Sequence, residues 1–215
     1  RPYVDLTIDA MKTFGVTVEE GENEYRIKGG QKYSCQELTV EGDYSGTAFL
    51  DAFNVIGGQV EVAGLNPESL QGDMIYKKYY SLLEYGTPNL DVSDCPDLAP
   101  VLMTIGAVKH GVKLLGTKRL KIKESDRGAV MAQELAKFGA DIEVNENSIT
   151  VHKSLLHPPT ELLKGHNDHR VVMSLSVICS LFGGEIDDAE AVSKSFPGYF
   201  DVFASLGGRV VLYDN

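Results

Sequence analysis

A helix closing on an apolar residue and a glycine, then giving way to a strand, returns again and again along this 215-residue chain. That periodic return limits the available folds more than any single motif does. The junctions are Met11-Lys12-Thr13-Phe14-Gly15, Leu82-Leu83-Glu84-Tyr85-Gly86, Leu135-Ala136-Lys137-Phe138-Gly139 and Phe203-Ala204-Ser205-Leu206-Gly207. In each, an apolar residue three positions before the Phe, Tyr or Leu puts both on one helical face. The glycine suits the left-handed position just past a helix C-terminus. Alternating strands are expected at 16–18, 140–144 and 209–212. Second strands are expected at Tyr25-Arg26-Ile27 and Ser148-Ile149-Thr150-Val151, each after a polar turn.

A second unit alternates with the first: an Asp that opens a helix rich in small residues and ending in glycine. It runs from Asp43 to Gly57-Gly58, from Asp97 to Gly111, and from Asp168 to Gly183-Gly184, with strands expected at 59–62, 112–115 and 185–186. Asp is a good cap because its carboxylate accepts the free N–H groups of the first turn. Small residues imply close packing on most sides. The pattern predicts an α/β chain of βαβαββ-type modules, three of them between residues 39 and 215, with helices inside and sheets outside. Residues 1–38 hold only the second half of a module and read as the tail of a preceding domain. The crossover is expected near Lys32-Tyr33-Ser34-Cys35-Gln36.

The bulk properties narrow the function. Hydrophobic content of 43% supports a sizeable core, and 24% charged residues argue against wholesale disorder. The longest apolar-rich stretch, Val171 to Phe182, is broken by three serines and reads as a buried helix, so no membrane span is expected. The opening Arg1-Pro2-Tyr3-Val4-Asp5 has neither a signal-peptide layout nor an initiating Met, and Arg1 is expected to lie inside a longer protein. Three widely spaced cysteines, Cys35, Cys95 and Cys179, fit a reducing cytosol better than a disulfide scaffold. A net charge of −11 disfavours nucleic acid as a partner. Against that background, Lys113, Lys118, Arg119, Lys121, Lys123 and Arg127 form a local basic cluster. It reads either as a focused site for a small anion or as a solvated strand edge guarded by lysines.

The polar clusters fall where loops enter helices, and free N–H groups there favour anions. In Lys123-Glu124-Ser125-Asp126-Arg127, Ser125 and Asp126 are candidate caps. Cations so close to a helix N-terminus oppose its dipole unless an anion joins them, although an exposed loop of weak ion pairs also fits. In His166-Asn167-Asp168-His169-Arg170 two histidines invite a metal, but no third ligand stands nearby. Asp168 reads as a cap and Arg170 as a planar fork for carboxylate or phosphate. In Ser193-Lys194-Ser195-Phe196-Pro197, Pro197 suits a first turn with Ser195 capping it, and Lys194 offers a point charge or is an ordinary solvated lysine. Asp97, taken alone, reads as a plain cap, and Glu124 is its candidate partner for chemistry.

Taken in order and spacing, Arg1-Pro2-Tyr3-Val4-Asp5, Val40-Glu41-Gly42-Asp43-Tyr44-Ser45, Asp94-Cys95-Pro96-Asp97, Lys123-Glu124-Ser125-Asp126-Arg127, Asp168-His169-Arg170 and Ser193-Lys194-Ser195-Phe196-Pro197 resemble the C-terminal part of the 5-enolpyruvylshikimate-3-phosphate synthases. The resemblance implies a two-domain enolpyruvyl transferase fold with its site in the interdomain cleft and most of the N-terminal domain absent here. It implies transfer of the enolpyruvyl group of phosphoenolpyruvate to the 5-hydroxyl of shikimate-3-phosphate, in the cytoplasm, with no metal or organic cofactor. By the same resemblance Asp97 accepts the hydroxyl proton and Glu124 handles the methylene proton. Lys123, Arg119, Tyr3 and Asp97 contact shikimate-3-phosphate; Arg127, Arg170 and Lys194 hold phosphoenolpyruvate. Arg119 stands where an Asn serves in some members. A fragment of this kind is expected to be inactive alone. A non-catalytic anion-binding module of the same fold and a UDP-N-acetylglucosamine enolpyruvyl transferase are the alternatives, although the latter is not expected to pair Lys-Glu-Ser-Asp-Arg with Asp-His-Arg.

Overall fold

The computed structural model describes residues 1–35 and 37–213; Gln36, part of the expected crossover, lies outside the described residues. Among the described residues seven α-helices run in chain order as α1 (Pro2–Thr13), α2 (Tyr44–Val55), α3 (Tyr76–Tyr85), α4 (Ala99–Val108), α5 (Arg127–Ala136), α6 (His169–Phe182) and α7 (Tyr199–Ser205). The strands are β1 (Val18–Glu20), β2 (Tyr25–Ile27), β3 (Asn89–Asp91), β4 (Val112–Leu115), β5 (Ile142–Val144), β6 (Ser148–Val151), β7 (Leu163–Lys164) and β8 (Ile186–Asp187). Residues 89–151 complete one βαβαββ module. Its sheet is ordered β3-β4-β6-β5, parallel between β3 and β4 and antiparallel elsewhere, with Leu114 opposite both Leu90 and Ile149.

Helices do occupy the inside. From Ala99 to Ala107 every residue of α4 is buried, because its Ala, Pro, Thr and Gly positions let neighbours approach all round. α6 is buried from Val171 to Ile178 and packs along α4, and α2 touches both. These are the three helices expected to open with Asp. Asp43 does so, accepting the N–H groups of Ser45 and Gly46 at 2.9 and 2.7 Å, and Asp168 accepts that of Arg170 at 3.0 Å. Asp97 does not: it lies inside a 3-10 turn, Pro96–Leu98, ahead of α4, and its carboxylate is turned toward cations.

Other expectations are corrected locally. Gly15, Gly139 and Gly207 take the left-handed conformation after their helices (φ 83, 88 and 97°), but Gly86 is extended at φ 171°. Residues 59–62 form no strand, since the Asn54 side chain replaces a ladder partner. Its Oδ1 accepts the Val60 N–H at 2.6 Å and its Nδ2 donates to the Val60 carbonyl at 2.8 Å. Residues 209–212 also form no strand, with Val211 and Leu212 largely exposed and no neighbouring strand beside them among the described residues. α7 begins at Tyr199 with Gly198 as its cap residue, so Pro197 and Ser195 stand just outside it. Lys113 is exposed, yet β4 lies between β3 and β6, which removes the guarded-edge reading for that lysine. Among the described residues no helix is long and apolar enough to cross a membrane.

The closeness of α4 to its own sheet gives a test. A Cβ on Gly106 would stand 2.5 Å from Val112 Cγ1 and 3.0 Å from Val112 Cβ, and Val112 is fully buried. Alanine gains ~1 kcal/mol of helix propensity over glycine. Overpacking a closed core costs ~1–3 kcal/mol, and a short branched side chain has little room to yield. The clash should win: Gly106→Ala is expected to lower stability by ~1 kcal/mol in urea unfolding, despite its better propensity.

Candidate active site

Arg127 is the largest fully buried side chain, 1% exposed, at the first position of α5. A cation there opposes the helix dipole, and burial adds a desolvation cost. Three carboxylates answer both. Asp168 takes the guanidinium side-on, from Nε at 2.8 Å and Nη2 at 3.2 Å; Asp97 accepts from Nη1 at 2.7 Å; Glu124 accepts from Nη2 at 2.6 Å. Each carboxylate comes from the start of a different element. Asp168 caps α6, Asp97 sits in the turn before α4, and Glu124 lies three residues ahead of Arg127 in the loop leading to α5. Asp126 caps α5 through the Ala129 N–H at 3.2 Å, while Ser125 donates to Asp168 at 2.9 Å.

Asp97 is the meeting point. Besides Arg127 it holds Lys123 Nζ at 3.1 Å on one oxygen and Arg170 Nη2 at 3.1 Å on the other. Arg170 also lies over the Phe49 ring, 6.0 Å from its centroid. Burial pushes the Asp97 carboxyl upward, but Arg170, Lys123 and Arg127 outweigh it and hold the group below the usual carboxylate range. Burial likewise works against Asp168, and its contacts with Arg127 and Ser125 bring it down.

Lys194 joins the same region through a neighbour. Its ammonium donates to the Asn167 carbonyl and, at 2.8 Å, to the Asn167 side-chain oxygen, one residue before Asp168. Tyr3 of α1 points its hydroxyl at Asp73 over 3.5 Å. Arg119 is exposed in the 3-10 turn Thr117–Ile122 and has no ion pair or hydrogen-bond partner among the described residues. The structure thus gathers Asp97, Lys123, Glu124, Arg127 and Arg170 into one contact network, sets Lys194 and Tyr3 at its margins, and leaves Arg119 outside. Among the described residues no group of three or more His, Cys, Asp or Glu is placed to hold a metal ion.

Three further residues belong to this region. Asp168 is more than a cap, since its second oxygen anchors Arg127. His169 is buried with Nδ1 unpartnered, 4.0 Å from both Glu124 and Asp168; burial, then Arg170, lower its pKa and keep the ring neutral. Asp73, 2% exposed, accepts from Ser45 and Tyr3; burial raises its pKa, opposed by Ser45, and it feels both Asp97 and Arg170. A cavity of about 370 Å³ lined by Tyr3, Asp43, Ser45, Gln71 and Asp73 adjoins the network there. Asp73 stands in no sequence pattern; only the tertiary approach of α1 and α2 identifies it.

The two aspartates make opposite predictions. A carboxylate held low contributes stability above its unfolded pKa, about 4, and loses it as pH falls through the folded value. Asp168→Asn should therefore cost ~3–5 kcal/mol at pH 7, because a buried Arg127 loses its closest partner, and the deficit should shrink in acid. For Asp73 the sign reverses: its raised pKa penalises the charged form as pH rises past about 4. Asp73→Asn should be more stable than the parent at pH 7 and equal to it at pH 3–4, by urea unfolding at both pH values.

Known proteins share both the sequence and the fold of this chain. The family described as EPSP synthase (3-phosphoshikimate 1-carboxyvinyltransferase) matches residues 1–203. Relatives named 3-phosphoshikimate 1-carboxyvinyltransferase include those of Clostridium novyi, 37% identical over 98% of this chain and 53% of that protein, and Methanoculleus marisnigri, 35% identical over 96% and 54%. Among solved structures, EPSP synthase from Acinetobacter baumannii superposes with a TM-score of 0.75 at 21% identity, covering 95% of this chain and 54% of the other. The enolpyruvyl transferase NikO from Streptomyces tendae gives 0.66 at 13% identity, covering 97% and 54%. The chain spans about half the length of the relatives it matches. With the family match running over residues 1–203, this chain belongs to the EPSP synthase family.

Proposed function

We propose that this chain supplies the C-terminal half of an enolpyruvyl transfer site, with residues 39–215 as the C-terminal domain and residues 1–38 as the tail of the preceding one. The substrates on this reading are phosphoenolpyruvate and shikimate-3-phosphate, and the setting is the cytoplasm. The observation that carries it is a single guanidinium, Arg127, that bridges the two carboxylates assigned to acid–base work, Asp97 at 2.7 Å and Glu124 at 2.6 Å, with Arg170 on the same Asp97.

The reaction joins the 5-hydroxyl oxygen of the acceptor to C2 of phosphoenolpyruvate. Asp97 takes the hydroxyl proton while Glu124 delivers a proton to the methylene carbon, giving a tetrahedral adduct. Glu124 then recovers a methyl proton as the C–O bond to phosphate breaks, restoring the double bond and its own starting protonated form, and the departing phosphate takes the proton held on Asp97. Three cations crowd Asp97 and make it a weak base. An arriving phosphate and carboxylate compete for Arg127 and Arg170, drawing charge away from Asp97. Its pKa then rises toward that of a working base only when donor substrate is bound. Lys194, tethered to Asn167, adds a point charge at the margin, and Lys123 serves the acceptor. Tyr3 is assigned to the acceptor side. Arg119, exposed and unpaired among the described residues, is assigned to the acceptor side by resemblance alone.

Positioning by two facing halves is worth ~7–11 kcal/mol in well-oriented systems, so half a cleft should not turn over. The 215-residue chain alone is expected to release no phosphate from the substrate pair. Adding the N-terminal half of the Clostridium novyi relative should restore release, and Asp97→Asn should then reduce it by about 10²–10⁴-fold. Arg170→Ala should weaken phosphoenolpyruvate binding by about 10-fold to 100-fold, by calorimetry. Binding that persists without any turnover in the complemented protein would instead assign a non-catalytic anion-binding module.

A further inference from the structure

Two turns after Arg127, on the same face of α5, stands a second buried charge, Glu134. It is fully buried and touches none of the residues assigned to substrate. One oxygen accepts from Lys137 Nζ at 2.7 Å and from the Lys164 backbone N–H at 2.8 Å; the other meets His166 Nε2 at 2.9 Å. Burial works against its ionisation, but these partners prevail and keep it a carboxylate.

What Glu134 grips is the strap 164–168 that leads from β7 into α6. That strap holds two consecutive non-glycine residues in the left-handed region, His166 at φ 52° and Asn167 at φ 50°. Side-chain-bearing residues persist there only when their surroundings enforce it. The enforcing contacts are Glu134 at the entry, the Gly165 carbonyl accepting the Asp168 N–H at 3.0 Å, and Asp188 accepting the Asn167 N–H at 3.3 Å. The far end of the strap serves the site twice. Asn167 offers its carbonyl and side-chain oxygens to Lys194, and Asp168 caps α6 while holding Arg127 side-on. α5 therefore clamps one five-residue strap at two points, Glu134 at its start and Arg127 at its end.

We propose that Glu134 is a positioning residue for the anion site, holding the strap in the left-handed turn that presents Asn167 to Lys194 and Asp168 to Arg127. The proposal rests on the reading of Arg127, Arg170 and Lys194 as that site. A residue that merely stabilised the core would, when removed, disturb the helix interior as much as the strap.

The test uses nuclear magnetic resonance of the 215-residue chain. It follows the Arg127 Nε–H, the backbone N–H groups of Asn167 and Asp168, and core amides such as Leu102 and Val112. Glu134→Ala is expected to move the strap and Arg127 resonances while leaving the core amides in place, and to raise the phosphoenolpyruvate Kd about 10-fold. His166→Ala, at a partly exposed position, should move the same resonances less and leave the fold intact. Should Glu134→Ala fail to fold, His166→Ala decides. Strap and Arg127 resonances at their parent positions in the deciding variant overturn the proposal. If the parent chain binds no phosphoenolpyruvate but the strap still moves, Glu134's hold on the strap stands and the ligand reading falls.

Discussion

Everything in this site is arranged around a guanidinium buried away from bulk water. Arg127 is buried at a helix start, where both desolvation and the helix dipole work against a positive charge. Its planar fork can be satisfied only by acceptors in its own plane, and three carboxylates provide them. Because those carboxylates belong to the entries of α4, α5 and α6, satisfying one side chain brings three helix N-termini to one place. A buried ion pair contributes little net stability compared with well-packed apolar groups. Its value here is geometric, since removing any partner leaves a charge stranded.

The scaffold that makes this possible is the close packing of α4 and α6. α4 is enclosed on all sides and α6 nearly so, which leaves their ends, not their flanks, for chemistry. The N-terminal ends carry free N–H groups and positive potential, so acidic side chains are stabilised there and anions are welcome there. The same logic explains why Asp43 and Asp168 cap while Asp97 does not. One residue earlier than a cap would sit, in a 3-10 turn opened by Pro96, its carboxylate is free to collect Lys123, Arg127 and Arg170.

The electrostatic state of the network matters as much as its shape. Three carboxylates and three cations, Lys123, Arg127 and Arg170, leave it close to neutral before any ligand arrives. Asp97 and Asp168 are held ionised against burial by these cations, whereas Asp73, close by but with no cation in contact, is pushed the other way. Neighbouring aspartates with opposed tendencies are a mark of a site in which proton affinity is set by the surroundings and not by residue type.

Much of this was legible in the chain itself. The repeated helix–glycine and Asp–helix units foretold the six helices after residue 39 and the β2, β4 and β6 strands to the residue, though not β3, which completes the module of residues 89–151. Those signals are local: periodicity, capping and left-handed glycine depend on neighbours in sequence. The expected strands at 59–62 and 209–212 failed because a strand exists only if another strand lies beside it, and Asn54 took that role for Val60. The order and spacing of Asp97, Lys123-Glu124-Ser125-Asp126-Arg127 and Asp168-His169-Arg170 pointed to the family. The sequence could not say that Asp168 would be Arg127's anchor, that Asp73 would face Tyr3 and Ser45, that Arg119 would stand apart, or that Glu134 would hold the strap at His166. Contacts between residues tens of positions apart depend on how the helices pack, and packing is settled by the whole core at once, so only the tertiary structure decided which charges meet.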